Sequence, residues 1–199
     1  WPAQRDGQVV GDGQMRETTA DALARMMVGT EVGNLYPRTT RRVGESVLTV
    51  RGLDAADVAF ELRRGEILGI AGLLGAGRSH FVRSIFGLAP VRHGEVTVGL
   101  WRGRPTPAES WQRGLGFVSG DRVGEGLAAG LSVAENLTLS GLQGRGARGF
   151  VSARRQRMAA ARWIGELGIR CANPDQPVTA LSGGNQQKVV IGRLLHHDV

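Results

Sequence analysis

Residues Glu66 to Phe86 read EILGIAGLLGAGRSHFVRSIF and carry the strongest local pattern in the chain. The apolar run from Ile67 to Ala71 is typical of a buried parallel strand. Apolar side chains recur at helical spacing from Phe81 onward, which predicts a helix with one buried face. A glycine-rich turn separates the two patterns. We therefore expect a strand, a glycine loop and a helix in immediate succession.

The turn matches the phosphate-loop pattern G-x-x-x-x-G-K-[ST], except that Arg78 replaces the lysine. Glycine allows backbone angles at which successive N–H groups converge on one anion, and the following helix directs its positive end to the same point. Ser79 is placed to offer its hydroxyl to Mg²⁺. With both flanks in place, a nucleoside triphosphate site is favoured over a structural turn. The predicted nucleotide-binding residues are Gly72, Leu73, Leu74, Gly75, Ala76, Gly77, Arg78, Ser79 and His80, and Ser79 is also the predicted metal ligand.

Length and composition indicate an ordinary globular protein. The 199 residues are enough for one sizeable domain and an appendage, and 41% of them are apolar. No apolar run approaches the length of a membrane span. Cys171 is the single cysteine, which excludes a disulfide framework and fits a reducing cytoplasm. The four histidines lack the spacing of a zinc site.

The formal net charge is +7, and every basic residue except Lys188 and the histidines is an arginine. A nucleic-acid-binding protein commonly groups basic with aromatic side chains. Here the arginines are scattered along the chain, so we expect no nucleic-acid partner. An arginine-rich codon composition accounts for the charge, and binding of phosphate groups or anionic lipid heads is a secondary alternative.

The first 45 residues do not resemble the start of a domain. Turn signals and a short helix opened by Thr18 and Thr19 are followed by a polar, proline-containing segment that is typical of a linker. We interpret residues 1–45 as the C-terminal tail of a preceding domain plus a linker. Residues 46–199 are then the main domain.

The main domain combines strands with helices. Thr106 to Glu109 has the cap, proline and glutamate of a helix start. Ser152 is expected to cap a longer helix whose apolar face includes Met158 and Ala161. A helical subdomain is expected at about residues 131–176. Apolar patterns predict strands at 47–50, 58–62, 96–100 and 115–119.

Residues 120–130 are too rich in glycine for regular structure, and we expect a mobile surface loop there. The loop carries two carboxylates, Asp121 and Glu125. Since the sequence indicates no partner for either, we interpret both as solvated.

A second motif, LSGGNQQ, precedes a helix with apolar i, i+4 pairs. A serine and two glycines at a helix N-terminus combine a hydroxyl, free N–H groups and the positive end of the helix dipole. Alone, the pattern favours a simple helix cap. About a hundred residues after a phosphate loop, and beyond a helical insert, it predicts a second anion site. The predicted binding residues are Leu181, Ser182, Gly183, Gly184, Asn185, Gln186 and Gln187.

The LSGGNQQ run resembles the signature motif of ABC ATPases, and its NQQ continuation is similar to that of the ATP-binding subunits of bacterial sugar importers of the ribose, galactose and xylose type. Those subunits carry two fused ATPase halves. GLLGAGRS at 72–79 resembles the degenerate phosphate loop of the second half, in which arginine replaces lysine. RDGQ at 5–8, LARMMVG at 23–29 and LYPR at 35–38 resemble the end of the first half and the linker. The resemblance spans nearly the whole chain.

The resemblance implies an α/β fold, a P-loop NTPase of the ABC ATPase type with a mixed sheet core and a helical subdomain, truncated before the Walker B strand. It implies two halves facing head to tail, with each ATP between the phosphate loop of one half and the signature of the other. Residues 72–79 would hold one ATP with Mg²⁺. Ser182, Gly183 and Gly184 would contact the γ-phosphate of the ATP held by the first half.

The implied function is the ATP-binding, energy-coupling component of a sugar ABC importer, an ATPase in its full-length form. The implied partners are the first ATPase half of the same polypeptide, membrane permease subunits and, indirectly, a periplasmic or lipid-anchored sugar-binding protein. Motion would pass to the permease through residues 119–130 and the helical insert. The implied location is the cytoplasmic face of the cell membrane.

The chain also departs from the family. The planar fork of Arg78 differs from the compact ammonium of lysine, which favours nucleotide binding over efficient hydrolysis. Gly120 stands where many ABC ATPases have a glutamine that contacts the metal. The Walker B acids and the switch histidine are not found, so no catalytic residue is identified. We expect a fragment that is inactive by itself and poorly soluble, with an exposed apolar edge.

Three alternatives accompany this interpretation. One is a non-hydrolysing nucleotide-binding half that regulates and structurally supports a catalytic half. Another is an ABC protein without a permease, which the NQQ continuation and the linker disfavour. A dinucleotide-binding domain is set aside because His80 stands where G-x-G-x-x-G requires its third glycine.

Overall fold

In the computed structural model of the chain, the described residues are 1–5, 7–28, 42–53, 58–142 and 151–199. They belong to two compact units, Trp1–Val43 and Gly44–Val199. Among the helices in these ranges, none has both the length and the apolar character needed to cross a bilayer.

The first unit contains a β-hairpin and a helix. β1 (Pro2–Arg5) pairs antiparallel with β2 (Gln8–Asp12), and α1 spans Ala20–Val28. Thr19 caps α1, because its Oγ1 accepts the Ala22 N–H at 3.2 Å. The predicted short helix is therefore confirmed. The linker lies mostly outside the described residues, and the interpretation of 1–45 as a tail stays a prediction.

The second unit begins with an antiparallel sheet. β3 (Ser46–Arg51) lies between β4 (Ala59–Arg63) and β5 (Glu95–Val98), and β6 (Trp101–Gly103) follows β5. The three predicted strands at 47–50, 58–62 and 96–100 are confirmed, with their ends moved by a few residues. Alternation along these strands gives the sheet one buried face.

The core under the sheet forms around two valines. Val50 pairs with Phe60 on one side and with Val96 on the other, and both valines are fully buried. Ile85 packs on them from α2 (Arg78–Phe86). This contact holds the helix that follows the glycine loop against the sheet.

Two predicted strands are absent from the described structure. Residues 67–71 and 115–119 have no strand conformation, and Ile67 is 79% exposed. A strand needs a neighbour whose backbone N–H and C=O groups pair with its own. No strand in the described ranges runs beside either segment. The prediction of a buried parallel strand before the loop is wrong here, because an apolar run does not supply those partners.

Four further helices complete the second unit. α3 spans Pro107–Gln112, α4 Val133–Thr138, α5 Ala153–Glu166 and α6 Gly183–His197. Capping boxes start α3 and α4, in which Thr106 pairs with Glu109 and Ser132 with Glu135. Ser152 caps α5 by accepting the Arg155 N–H. The helix starts predicted at Thr106 and Ser152 are confirmed.

A second core joins α4, α5 and α6. Leu137, Ala160 and Val189, one from each helix, are completely buried. Met158 is 66% exposed, so the predicted apolar face of α5 is partly wrong. Side chains at every third position do not stay on one face of a helix, because the helix has 3.6 residues per turn. The face in contact with this core carries Ala160, Trp163, Ile164 and Leu167.

The glycine-rich stretch after residue 119 is more regular than predicted. Arg122–Gly126 forms one π-helical turn. The Asp121 side chain closes it by accepting the Gly124 N–H at 2.8 Å, and the Asp121 carbonyl accepts the N–H groups of Glu125 and Gly126. Composition indicated an irregular loop, but one aspartate at the start satisfies the backbone of the turn.

Candidate functional site

The glycine loop has the backbone geometry that its sequence predicts. Gly75 and Gly77 have φ of +83° and +79°, in the left-handed region that favours glycine. A Cβ at either position would meet no atom within 4 Å. The backbone conformation, and not a lack of room for a side chain, therefore favours glycine at both positions. Gly77 is the N-cap of α2, and its carbonyl accepts the Phe81 N–H at 2.9 Å. The loop thus leads directly into the positive end of a helix.

Arg78 lies back over the start of the loop. A Cβ built on Gly72 would be 3.3 Å from Cδ of Arg78, which places the arginine stem against that glycine. None of the ion pairs among the described residues involves Arg78. A guanidinium beside the loop that forms no ion pair among the described residues is suited to phosphate oxygens.

The loop residues are exposed. Leu73 is 84% exposed and Leu74 is 99% exposed, and both lie between the first two glycines of the motif. Arg78 and Ser79 line an open groove of about 620 Å³, which Ser119, Asp121 and Glu125 also line. The groove therefore brings the predicted metal ligand Ser79 to the same cavity as two carboxylates.

The prediction that Glu125 has no partner is wrong. Its Oε2 accepts Arg83 Nη1 at 2.7 Å, and the Ser119 hydroxyl donates to the same oxygen. The Ser119 hydrogen bond, followed by that of Arg83, lowers the pKa of Glu125 below the ordinary value of a glutamate. Arg83 follows Ser79 by one helical turn, but the sequence has no local signal that joins it to a residue 42 positions away.

The second motif starts α6 as predicted. Ser182 is the N-cap, and its Oγ accepts Asn185 Nδ2 at 2.9 Å without bonding to the backbone of the helix. Asn185 Oδ1 accepts the Arg170 N–H, also at 2.9 Å. Ser182, Gly183, Gly184 and Gln187 are exposed. This end of the helix presents free N–H groups and one hydroxyl to the surface.

Two residues of the second motif face inward. Leu181 is 7% exposed and Gln186 is 9% exposed. Gln186 Nε2 donates to the Val178 carbonyl at 3.2 Å, and its Oε1 accepts Arg122 Nε at 3.1 Å. Sequence reasoning did not find Arg122, because this contact spans 64 residues. Leu181 and Gln186 hold the motif in place from the inside.

The two motifs do not meet in this chain. None of the second-motif residues lines the groove beside the phosphate loop. The turn at Arg122–Gly126 pairs with α2 through Glu125 and Arg83, and with the second motif through Arg122 and Gln186.

The groove suits a magnesium ion only in combination with a phosphate ligand. Among the described residues there is no group of three or more His, Cys, Asp or Glu side chains that could hold a metal ion. Mg²⁺ is commonly bound by one or two protein oxygens together with substrate phosphates and water. A single hydroxyl at Ser79, beside a phosphate loop, fits that donor set.

Comparison with known proteins gives the family. Residues 55–199 match the model of the ABC transporter family. A ribose import ATP-binding protein of Rubrobacter xylanophilus is 44% identical over 96% of this chain, and one of Geobacillus kaustophilus is 39% identical, also over 96%. The chain spans 39% and 40% of the length of these two relatives.

Solved structures agree on the fold. A nucleotide-free ATP-binding cassette from an ABC transporter aligns with a TM-score of 0.62 at 20% identity, covering 77% of this chain and 66% of the other. A dimeric cassette bound to ADP and phosphate aligns with a TM-score of 0.54 at 21% identity, covering 76% and 70%. The predicted α/β fold of the ABC ATPase type is confirmed, and the chain belongs to the ABC transporter family.

Proposed function

We propose that this chain is part of the ATP-binding, energy-coupling component of a sugar ABC importer, in which ATP binding and hydrolysis between two ATPase halves drive import. The observation that carries the proposal is the phosphate loop, with two left-handed glycines and, at the start of α2, a serine and an arginine that has no ion pair among the described residues. The relatives, which are ribose import ATP-binding proteins, support the substrate class.

In this proposal residues 72–80 bind the phosphates of one ATP. The left-handed glycines allow the backbone N–H groups to converge on the phosphates, and the guanidinium of Arg78 pairs with their oxygens. Ser79 offers one oxygen to Mg²⁺. The ion would supply positive charge that offsets the charge of the phosphates.

The second motif serves a different ATP. Ser182, Gly183 and Gly184 are exposed at the start of α6, away from the groove of residues 72–80. They would contact the γ-phosphate of an ATP held by the phosphate loop of a partner half. Asn185 and Gln187 flank them, whereas Leu181 and Gln186 support them from the core.

The remaining assignments follow from this role. Residues 1–45 would be the tail of the first ATPase half and the linker, and residues 46–199 the second ATPase domain, with its helical subdomain near 131–176. The partners would be the first half, the permease subunits and, indirectly, a sugar-binding protein. The site of action would be the cytoplasmic face of the membrane. The names of the relatives do not favour the alternative of a purely regulatory, non-hydrolysing half.

Equilibrium binding of a fluorescent ATP analogue, with and without Mg²⁺, tests the proposal. We expect saturable, Mg²⁺-sensitive binding that Arg78→Ala and Ser79→Ala each weaken about tenfold, since the first loses a charge-assisted hydrogen bond to phosphate and the second a ligand of Mg²⁺. Arg154→Ala is a matched control, because Arg154 is an exposed arginine on α5 outside the groove. Absence of binding by a sample that unfolds cooperatively would refute the nucleotide site. Growth of a cell that lacks the whole protein on a panel of sugars tests the substrate class.

A further inference from the structure

Ser182 begins α6 without capping it. A serine at an N-cap commonly accepts the backbone N–H of the third helical residue. In α4, Ser132 does this, because its Oγ accepts the Glu135 N–H at 3.2 Å. Ser182 has the φ of −61° and ψ of 155° that are typical of an N-cap, yet its side chain forms no hydrogen bond to the backbone of α6. The Ser182 hydroxyl is therefore diverted from the usual role of a serine at this position.

The side chain of Asn185 takes the place of the helix backbone. Asn185 is the third residue of α6, and its Nδ2 donates to Ser182 Oγ at 2.9 Å. Its Oδ1 accepts the Arg170 N–H, also at 2.9 Å. Because a backbone N–H can only donate, Oδ1 has to face Arg170, and Nδ2 then faces Ser182. The main chain at Arg170 thus fixes the orientation of the amide.

The segment that supplies the Arg170 N–H is itself held against α6. The carbonyl of Gly168 accepts Lys188 Nζ at 2.9 Å. Ile169 is 5% exposed and belongs to the core that α4, α5 and α6 share. Lys188 follows Asn185 by three residues, so the two side chains lie on the same side of the helix. Two hydrogen bonds and one buried side chain therefore hold the backbone that orients Asn185.

This arrangement leaves the donors of the second motif available. An amide Nδ2 donates and cannot accept, so Ser182 Oγ is the acceptor in this bond and keeps its own hydrogen for another group. Within the described ranges, no acceptor bonds to the backbone N–H of Gly183, Gly184 or Asn185. Four donors thus lie together in the first turn of α6, where the helix dipole also favours negative charge.

We propose that Asn185 is a positioning residue for Ser182. It occupies the hydroxyl oxygen in place of the helix backbone, so that the hydroxyl and the N–H groups of residues 183–185 can all donate to one terminal phosphate. The phosphate belongs to the ATP of a partner half, and in this respect the inference rests on the proposed function. The phosphate completes the cap of α6 when the two halves close, and Asn185 acts through Ser182 without touching the nucleotide.

Hydrogen exchange of the whole chain without ligand, resolved to single amides, tests the diverted hydroxyl. When Asn185 is replaced, Ser182 Oγ can accept the backbone N–H at position 185, as the serine of α4 does at its own helix. We expect Asn185→Ala to raise the protection factor of that amide about fivefold, and Asn185→Ala/Ser182→Ala to return it to the wild-type value. A purely structural asparagine predicts the opposite, because its loss would loosen the start of α6.

Asn173→Ala is the matched control for this experiment. Asn173 lies in an exposed loop, and its Oδ1 accepts the Asp175 N–H at 3.0 Å. It therefore makes a local hydrogen bond of the same kind but has no bond to the second motif. We expect the protection factor at position 185 to be unchanged in this variant.

Steady-state ATP hydrolysis by the complete polypeptide, with both ATPase halves, tests the consequence for the nucleotide. The contact forms only when the halves close, so we expect Asn185→Ala to lower kcat about tenfold and to leave KM within about twofold. Asn185→Asp keeps the shape of the side chain but reverses the hydrogen bond, because a carboxylate accepts the Ser182 hydroxyl. Its kcat should fall at least as far, although an acidic residue in the first turn favours the helix.

Each outcome decides the inference. If protection at position 185 stays at or falls below the wild-type value in Asn185→Ala, the diverted hydroxyl is overturned whether or not ATP is hydrolysed. If Asn185→Asp keeps the wild-type kcat, the positioning role is overturned. If the wild type hydrolyses no ATP, the proposed function fails, and the exchange experiment alone decides the inference. An equal loss of kcat in Asn173→Ala would show nonspecific damage and overturn the positioning role.

Discussion

Asn136 of α4 holds Arg193 of α6 by two hydrogen bonds: Nε donates to the Asn136 carbonyl at 2.9 Å, and Nη2 donates to its Oδ1 at 2.7 Å. Burial lowers the pKa of the Arg193 guanidinium below its ordinary value. None of the ion pairs among the described residues supplies a carboxylate to it. A neutral amide therefore stabilises a partly buried cation and joins the two helices.

Replacement of Asn136 is expected to cost about 3 kcal/mol of unfolding free energy. Asn136→Ala leaves the Arg193 cation with fewer acceptors, and it removes the Nδ2 bonds to the carbonyls of Ala128 and Ser132, both at 3.0 Å. Urea denaturation followed by circular dichroism measures the loss. Asn173→Ala, in an exposed loop, should cost less than about 1 kcal/mol and is the control. Equal costs for the two variants would contradict the buried role.

The capping box of α4 predicts a loss of stability in acid. The Ser132 hydroxyl, followed by the Ser132 N–H, lowers the pKa of Glu135. A glutamate whose pKa is lower in the folded state than in the unfolded state stabilises the fold at pH values above the unfolded-state pKa of about 4.3. This stabilisation is lost as the pH falls through the folded-state pKa. Glu135→Gln keeps the hydrogen-bonding shape but does not titrate. Its urea midpoint should therefore fall less steeply below about pH 4.5 than that of the wild type, and parallel curves would contradict the assignment.

Two left-handed glycines at the ends of α2 should differ in their tolerance of alanine. At Gly87, with φ of +87°, a Cβ would be 2.2 Å from the Pro105 carbonyl oxygen, so backbone would have to move. At Gly77 a Cβ would meet nothing. We expect Gly87→Ala to lower the unfolding free energy by about 3 kcal/mol or more and Gly77→Ala by about 1 kcal/mol, through backbone strain alone. Thermal and urea unfolding of both variants test the order, and a reversed order would show the contact to be absent.

A lysine at position 78 should preserve nucleotide binding. Both side chains are cationic, and Arg78 lies at the mouth of the loop without a described carboxylate partner. We expect Arg78→Lys to bind the ATP analogue within about threefold of the wild type, against about tenfold weaker binding for Arg78→Ala. If lysine weakens binding as much as alanine does, the planar fork of the arginine, and not its charge, is the requirement.

The exposed aliphatic segment before the loop predicts self-association. Ile67 is 79% exposed, and Leu68 and Ile70 are each 41% exposed, in a stretch with no strand beside it in the described structure. A surface of this kind favours aggregation. The Ile67→Lys/Ile70→Lys variant should reduce static light scattering of the chain, whereas Val9→Lys, at a similarly exposed valine of the hairpin, should not. A wild-type chain that stays monodisperse would contradict the prediction.

Local sequence determined the features whose partners lie within a few residues. The capping box of Thr106 and Glu109 forms because the two residues are one helical turn apart. Gly75 and Gly77 adopt left-handed angles because few other residues do so without strain. The motif at 72–79 and the start of α6 could therefore be located from sequence, and with them the family.

Only the tertiary structure decided the contacts between distant residues. Ile67–Ala71 has the composition of a strand but no neighbour in the described structure to complete its hydrogen bonds. From the sequence, Glu125 is interpreted as a solvated loop residue, but in the structure it is hydrogen-bonded to Arg83, 42 positions away. Arg122 is hydrogen-bonded to Gln186, 64 positions away. The physical reason is the same in each case. A hydrogen bond needs a donor and an acceptor, and a strand needs a neighbouring strand. When the second partner lies far along the chain, only folding brings it to the first.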